Sequence, residues 1–230
     1  MIGQAFLECC LSSSSKLKIE EDDEALVKVN EALIKMIQYH AKKCLEGYIF
    51  TSVSEIEVKD KGIPIYGFWL SFVLLATDHM NIVLKTHFDY SSVQPILKKI
   101  FRSEDADISQ QMAESFINEY SNLFGTKVKN TLFDIGISTG MSLPVLTRGF
   151  DNYLFEEYFK STGGDSSRQQ RNQLYQYCMV WGYETEETKI YCSVEIDIMS
   201  QPAFEKLKPL IGWDPKKNTD SMVNNMEFLL

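Results

Sequence analysis

DADISQQMAESFINEYSNLFGTKVKNTL, residues 105–132, is the stretch on which the fold turns. Ile108, Met112, Phe116, Tyr120, Leu123 and Phe124 recur at three- and four-residue steps, which predicts one long helix with an apolar stripe. Asp105 and Asp107 are the expected N-cap residues, and their charge suits the positive end of the helix dipole. At ~100° per residue, Ser115, Glu119 and Asn122 fall within an arc of roughly 60° beside that stripe. Many amphipathic helices carry such a polar face in water, so the arrangement alone assigns no chemistry.

The spacing carries more. Ser115-x-x-x-Glu119-x-x-Asn122, with Pro144 further on, resembles the signature of the CheC/CheX/FliY phosphatases, which act on phosphorylated response regulators of the CheY type. Gly125 stands three residues after Asn122, where CheX-like helices also carry a glycine. The following FDIGISTGMSLPVLTRG is similar to the family's entry into a strand, with a proline opening it and a glycine closing it. The resemblance runs from about Ala25 to Ile198, and outside the signature it is one of element order. It implies an α+β fold: a CheX-like domain over residues 23–210, mainly antiparallel sheet packed against two long helices. Residues 1–22 and 211–230 are extra segments, and residues 161–172 are expected to form a mobile loop. CheC-like proteins can carry a second motif on their first helix. Here Ile34 stands three residues after Glu31 and Val27 three before Asn30, so a single site is expected.

The chemistry that the resemblance implies is hydrolysis of an aspartyl phosphate, which needs above all a water held in line with phosphorus. A carboxamide both donates and accepts, so Asn122 can hold that water without an unusual pKa. Glu119 is similar to the family's acidic residue that pairs with the regulator's active-site lysine. Ser115 would shape the surface, and Pro144 would set the strand beside the helix. No cofactor of this chain is implied; Mg²⁺ belongs to the regulator. The expected partner is a phosphorylated CheY-like response regulator, and the expected assembly a homodimer paired through the sheets. The alternative is a CheX-like module that binds a regulator or another signalling partner without hydrolysis.

Composition fits this picture. Hydrophobic residues make up 44% and charged residues 24%, as in ordinary globular proteins. A net charge of −9 argues against broad contact with nucleic acid or an anionic membrane. The odd set Cys9, Cys10, Cys44, Cys178 and Cys192 contains no C-x-x-C pair, which fits reduced thiols. His40, His79 and His87 lack metal-ligand spacing. The opening MIGQAFLECC has no basic region and no long apolar core, so it does not read as a signal peptide, and a cytoplasmic location is expected.

Elsewhere the periodicities alternate. Residues 23–45 predict a helix closed by Gly47, and residues 48–58 a strand. The run Ile65 to Ala76 predicts a strand buried on both faces, Met80 to Phe88 another, and Tyr90 to Phe101 a helix capped by Ser91 or Ser92. Met141 to Thr147 should be a strand carrying Pro144. A hairpin is expected from residues 174–198 around an acidic turn at Glu184 to Glu187, then a short helix from Ser200 and Pro202 to about Leu207. Gly136-x-Ser138-x-Gly140 matches a nucleophile elbow, but a helix precedes it and all three histidines lie upstream of it, so serine hydrolase chemistry is set aside.

Overall fold

The computed structural model describes residues 22–49, 52–56, 69–103, 105–148 and 175–215. The acidic N-terminal run, the turn at 59–64, the aromatic stretch 150–158, the loop at 161–172 and the end of the tail lie outside these residues. In chain order the described elements are α1 (Asp22–Ile49), β1 (Ser54–Ile56), β2 (Trp69–Ala76), β3 (Met80–Phe88), α2 (Tyr90–Phe101) and α3 (Gln110–Asp134). They continue with β4 (Gly140–Met141), β5 (Val145–Arg148), β6 (Tyr175–Glu184), β7 (Lys189–Ile198), α4 (Gln201–Leu207) and a 3₁₀ turn, Lys208–Leu210. The fold is α+β: one antiparallel sheet in the order β1-β6-β7-β3-β2-β4, with β5 also paired to β2.

Alternation along the strands decides which face of the sheet is covered. Val73 pairs with Leu84, Leu84 with Val194 and Val194 with Met179, so one apolar row crosses four strands. That row and its neighbours Leu75, Ile82, Ile196 and Trp181 face the two long helices. α1 meets them with Val29, Leu33, Met36, Ile37 and Ala41, each fully buried, and α3 with Ile117, Tyr120, Phe124, Val128 and Leu132. Burial of a side chain of this size is worth about 1.5–3 kcal/mol, so these two stripes hold the layers together.

Several boundaries differ from the sequence reading. α1 runs through Gly47 to Ile49, because Ile49 is buried and the Tyr48 ring packs edge-on against Phe116 with centroids 5.2 Å apart. The strand expected from Tyr48 is therefore reduced to Ser54–Ile56 among the described residues. α3 is capped by Ser109, whose hydroxyl accepts from the Met112 amide at 3.3 Å, and not by either aspartate. Burial of Ile108 pulls the chain inward just before that cap. α2 has the expected span, but its cap is Asp89, whose amide donates to Ser92 Oγ at 3.1 Å. Pro144 does not lie inside a strand. It falls between β4 and β5, where a residue without an amide proton cannot continue the ladder on β2. Ser142 bridges the gap: its amide donates to the Leu74 carbonyl at 2.9 Å and its hydroxyl accepts from the Leu74 amide at 3.0 Å.

Within β2, Leu70, Ser71, Val73 and Leu75 are buried while Phe72 and Leu74 are half-buried, so the face turned from the helices is only partly covered. The expected hairpin is present as β6 and β7, with Glu184 opposite Lys189, and is closed by Thr185, whose hydroxyl accepts from the amides of Glu187 and Thr188. α4 starts at Ser200 with Pro202 in its first turn. Beyond it Trp213 returns to α1, edge-on to Tyr39 at 5.4 Å between centroids.

Candidate functional site

α3 is fastened on nearly every side, which leaves one rim free. Tyr120 is fully buried, and its hydroxyl donates to the Ala41 carbonyl of α1 at 3.0 Å. On the sheet side the Ser71 hydroxyl donates to Asn118 Oδ1 at 3.4 Å, and the Ser121 hydroxyl donates to Thr86 Oγ1 at 3.4 Å. Gly125 marks where helix and sheet come closest: a Cβ there would lie 3.0 Å from Val73 Cγ1 and 3.4 Å from Met141 Sδ. The backbone of the signature is thus fixed by residues that alternate with it.

The signature side chains take the remaining rim. Ser115 and Glu119 are exposed and Asn122 is half-buried. Among the described residues, the carboxylate of Glu119 has no ion-pair partner, and neither it nor the Asn122 carboxamide makes a side-chain hydrogen bond. This leaves both groups available to something outside the chain. Pro144 is half-buried and joins them only indirectly, through β2, on which both α3 and the β4–β5 edge pack. Ser138 is exposed, in the link that follows α3, and all three histidines lie in other elements or turns.

Beside the rim is an open groove of about 450 Å³. Its walls are Tyr48 at the end of α1, Leu97, Ile100 and Phe101 on α2, and Met112 and Phe116 on α3; Ser115 and Glu119 stand at its edge. Burial pushes the Tyr48 phenol up to about 12, and the Glu119 carboxylate adds to the shift, so the phenol stays neutral. Sequence reading missed this groove. Tyr48 looked like the start of a strand, and Phe101 like the last residue of an ordinary helix. No sequence signal marks it, because the 47% exposure of Phe101 is itself a fact of the folded chain.

Titratable groups elsewhere are structural. Burial holds the His40 and His87 imidazoles down to about 4, with Lys127 and Lys85 adding to the respective shifts. Each ring bonds a hydroxyl through Nε2 at 2.8 Å, His40 to Thr131 and His87 to Ser193. Because the Thr131 hydroxyl donates to the Lys127 carbonyl, His40 Nε2 is the donor to it. Burial also pushes the thiols of Cys44 and Cys192 up to about 12. Among the described residues, no group of three or more His, Cys, Asp and Glu is placed to hold a metal, and no helix is long and apolar enough to cross a membrane.

No protein-family model matches the chain, and no curated protein matches its sequence. Solved structures do match. A CheC-like superfamily protein from Shewanella sp. PV-4 superposes with a TM-score of 0.53 at 11% identity, over 72% of this chain and 97% of that one. The fold is that of the CheC/CheX family. The chemotaxis protein CheX from Vibrio vulnificus gives a TM-score of 0.52 at 10% identity, covering 71% of this chain and 98% of its own. A chemotactic CheC-like protein from Shewanella oneidensis MR-1 gives 0.52 at 10% identity, covering 73% and 99%. At such identities the likeness is one of architecture. The antiparallel sheet and two long helices expected of a CheX-like domain are therefore present, and the chain is a divergent example of that fold.

Proposed function

We propose that this chain is a phosphatase that hydrolyses the aspartyl phosphate of a CheY-like response regulator. The observation that carries the proposal is the free rim of α3. On a CheC/CheX-like fold, the Glu119 carboxylate and Asn122 carboxamide project side by side, committed to no partner among the described residues. Glu119 pairs with the regulator's active-site lysine and so sets the helix against the phosphorylated aspartate. Asn122, nearly one turn on, accepts and donates to a water and holds it in line with phosphorus. Hydrolysis breaks the aspartyl–phosphate bond, with water supplying the entering oxygen; no intermediate forms on this chain. Ser115 shapes the rim, and Mg²⁺ is carried by the regulator. The protein acts in the cytoplasm, where such regulators are found, and as a homodimer.

The test is loss of phosphate from purified CheY-type receiver domains of the source organism, with Mg²⁺, in the presence of wild type and variants. Asn122→Ala should remove most of the acceleration and leave receiver binding largely intact, because it deletes only the water contact. Glu119→Ala should weaken both, and Ser138→Ala neither. A receiver dephosphorylated by wild type and equally by Asn122→Ala would sink the mechanism. Tight binding of phosphorylated receivers with no faster decay would replace it with the non-hydrolytic binding module.

A further inference from the structure

From the groove beside Glu119 we infer a second element of partner recognition: it receives an apolar side chain that the partner presents next to the lysine paired with Glu119. This rests on the function proposed above and extends it from the chemistry to the choice of partner. The groove follows α3 from Gln111 to Glu119, about two helical turns or ~12 Å. Its walls are mostly apolar, with Gln111 and Ser115 as uncharged polar residues along α3, and Glu119 at one end supplies the only charge among the lining residues. The Tyr48 ring, edge-on to Phe116 with centroids 5.2 Å apart, forms part of the wall.

Two physical arguments fix the occupant. A solvated carboxylate bordering apolar walls complements a cation flanked by apolar surface, and gains most when that surface expels water around the ion pair. The volume of about 450 Å³ suits an aromatic or branched side chain with its flanks, and exceeds what the lysine stem alone would fill. The groove is also continuous with the rim that would meet the phosphorylated aspartate, so one partner surface can cover both. The partner is a receiver domain carrying an exposed aromatic or branched residue within about 12 Å of its active-site lysine, the length of the groove along the helix. Receivers lacking that residue bind poorly, although their catalytic groups are the same. Phe101, at the outer lip, is the residue best placed to make this distinction.

The experiment uses the full chain and the source organism's CheY-type receivers, activated with beryllium fluoride and Mg²⁺ for titration and phosphorylated for turnover. Phe101→Ala should raise the receiver Kd and KM about tenfold, the scale of an interface anchor, with kcat unchanged. Phe133→Ala, which removes a 65% exposed aromatic at the far end of α3, should change nothing. Because Phe101 is already half outside, the fold should survive, which circular dichroism melts of the variant are to check. If wild type dephosphorylates a receiver and Phe101→Ala matches it in Kd and KM, the groove proposal is overturned while the phosphatase stands. If binding is tight, is lost in Phe101→Ala, and turnover is never accelerated, the groove stands and the phosphatase falls. If none of the receivers binds, both fall.

Discussion

Tyr120 follows Glu119 on the buried face of α3, and Tyr120→Phe separates what holds the signature in place from what it does. The phenol is fully buried, so the substitution keeps the ring, creates a void no larger than one oxygen, and deletes the 3.0 Å donation to the Ala41 carbonyl. A second contact, to Cys192 Sγ at 3.9 Å, is weak. Ala41 lies inside α1, so its carbonyl belongs to that helix's own ladder and is not orphaned. The expected cost is therefore that of one net hydrogen bond, about 1 kcal/mol. For a chain of this size that lowers the melting temperature by about 2–4 °C. Urea unfolding followed by circular dichroism should show a lower midpoint with an unchanged slope. Dephosphorylation at 25 °C should stay near wild type, because Glu119 and Asn122 keep their backbone. No loss of stability would show that the interhelical bond contributes nothing. A loss above about 3 kcal/mol, the cost of a buried group left unsatisfied, would mean that the carbonyl has no other partner and that the reasoning about the ladder fails.

Other perturbations test different parts of the fold. Gly125→Val should destabilise by about 1–3 kcal/mol, the usual cost of overpacking, because even a Cβ would stand 3.0 Å from Val73 Cγ1; chemical denaturation measures this, and activity should fall because Asn122 is one turn away. Stability should also fall as pH drops from about 6.5 to about 4, because His40 and His87 have folded pKa values near 4 against the ordinary 6.5. In that window the unfolded chain binds more protons than the folded one. His40→Gln should flatten the melting-temperature profile there; an unchanged slope would show that His40 is not one of the groups responsible. Sedimentation equilibrium at tens of micromolar, a usual range for such contacts, should give a dimer, and a monomer would count against the expected assembly.

Local pattern was enough where neighbours agreed with it. The span of α2, Tyr90–Phe101, and the hairpin of β6 and β7 were legible because caps, periodicity and turn residues all point one way. It failed where several residues could do the same job. Asp105, Asp107 and Ser109 are all competent N-caps, and the choice of Ser109 follows from burial of Ile108, a tertiary fact. Gly47 looked like a stop, but packing of Tyr48 on Phe116 carries α1 past it. That Glu119 and Asn122 share one rim of α3 was legible because both lie on one helix beside its apolar stripe, which leaves Glu119 exposed and Asn122 half-buried. The groove was not, because its walls come from three elements that only the folded chain brings together.

The break at Pro144 bears on how copies of this chain can meet in a crowded cell. An open sheet invites strangers to add strands at its margins, and here one margin is β4 and β5, two short pieces separated by Ser142, Leu143 and Pro144. The opposite margin is the three-residue β1, which covers β6 only over residues 182–184 and, among the described residues, leaves the outer edge of β6 from Tyr175 to Trp181 without a neighbouring strand. Among the described residues the broken β4–β5 margin presents no long uninterrupted row of amides on which a foreign strand could be templated, whereas the uncovered edge of β6 does. Leu143 is 82% exposed beside the break, where its stickiness cannot be reinforced by backbone pairing. At the broken margin self-association must then be written in side chains, which single substitutions can retune, while at β6 the backbone itself stays available.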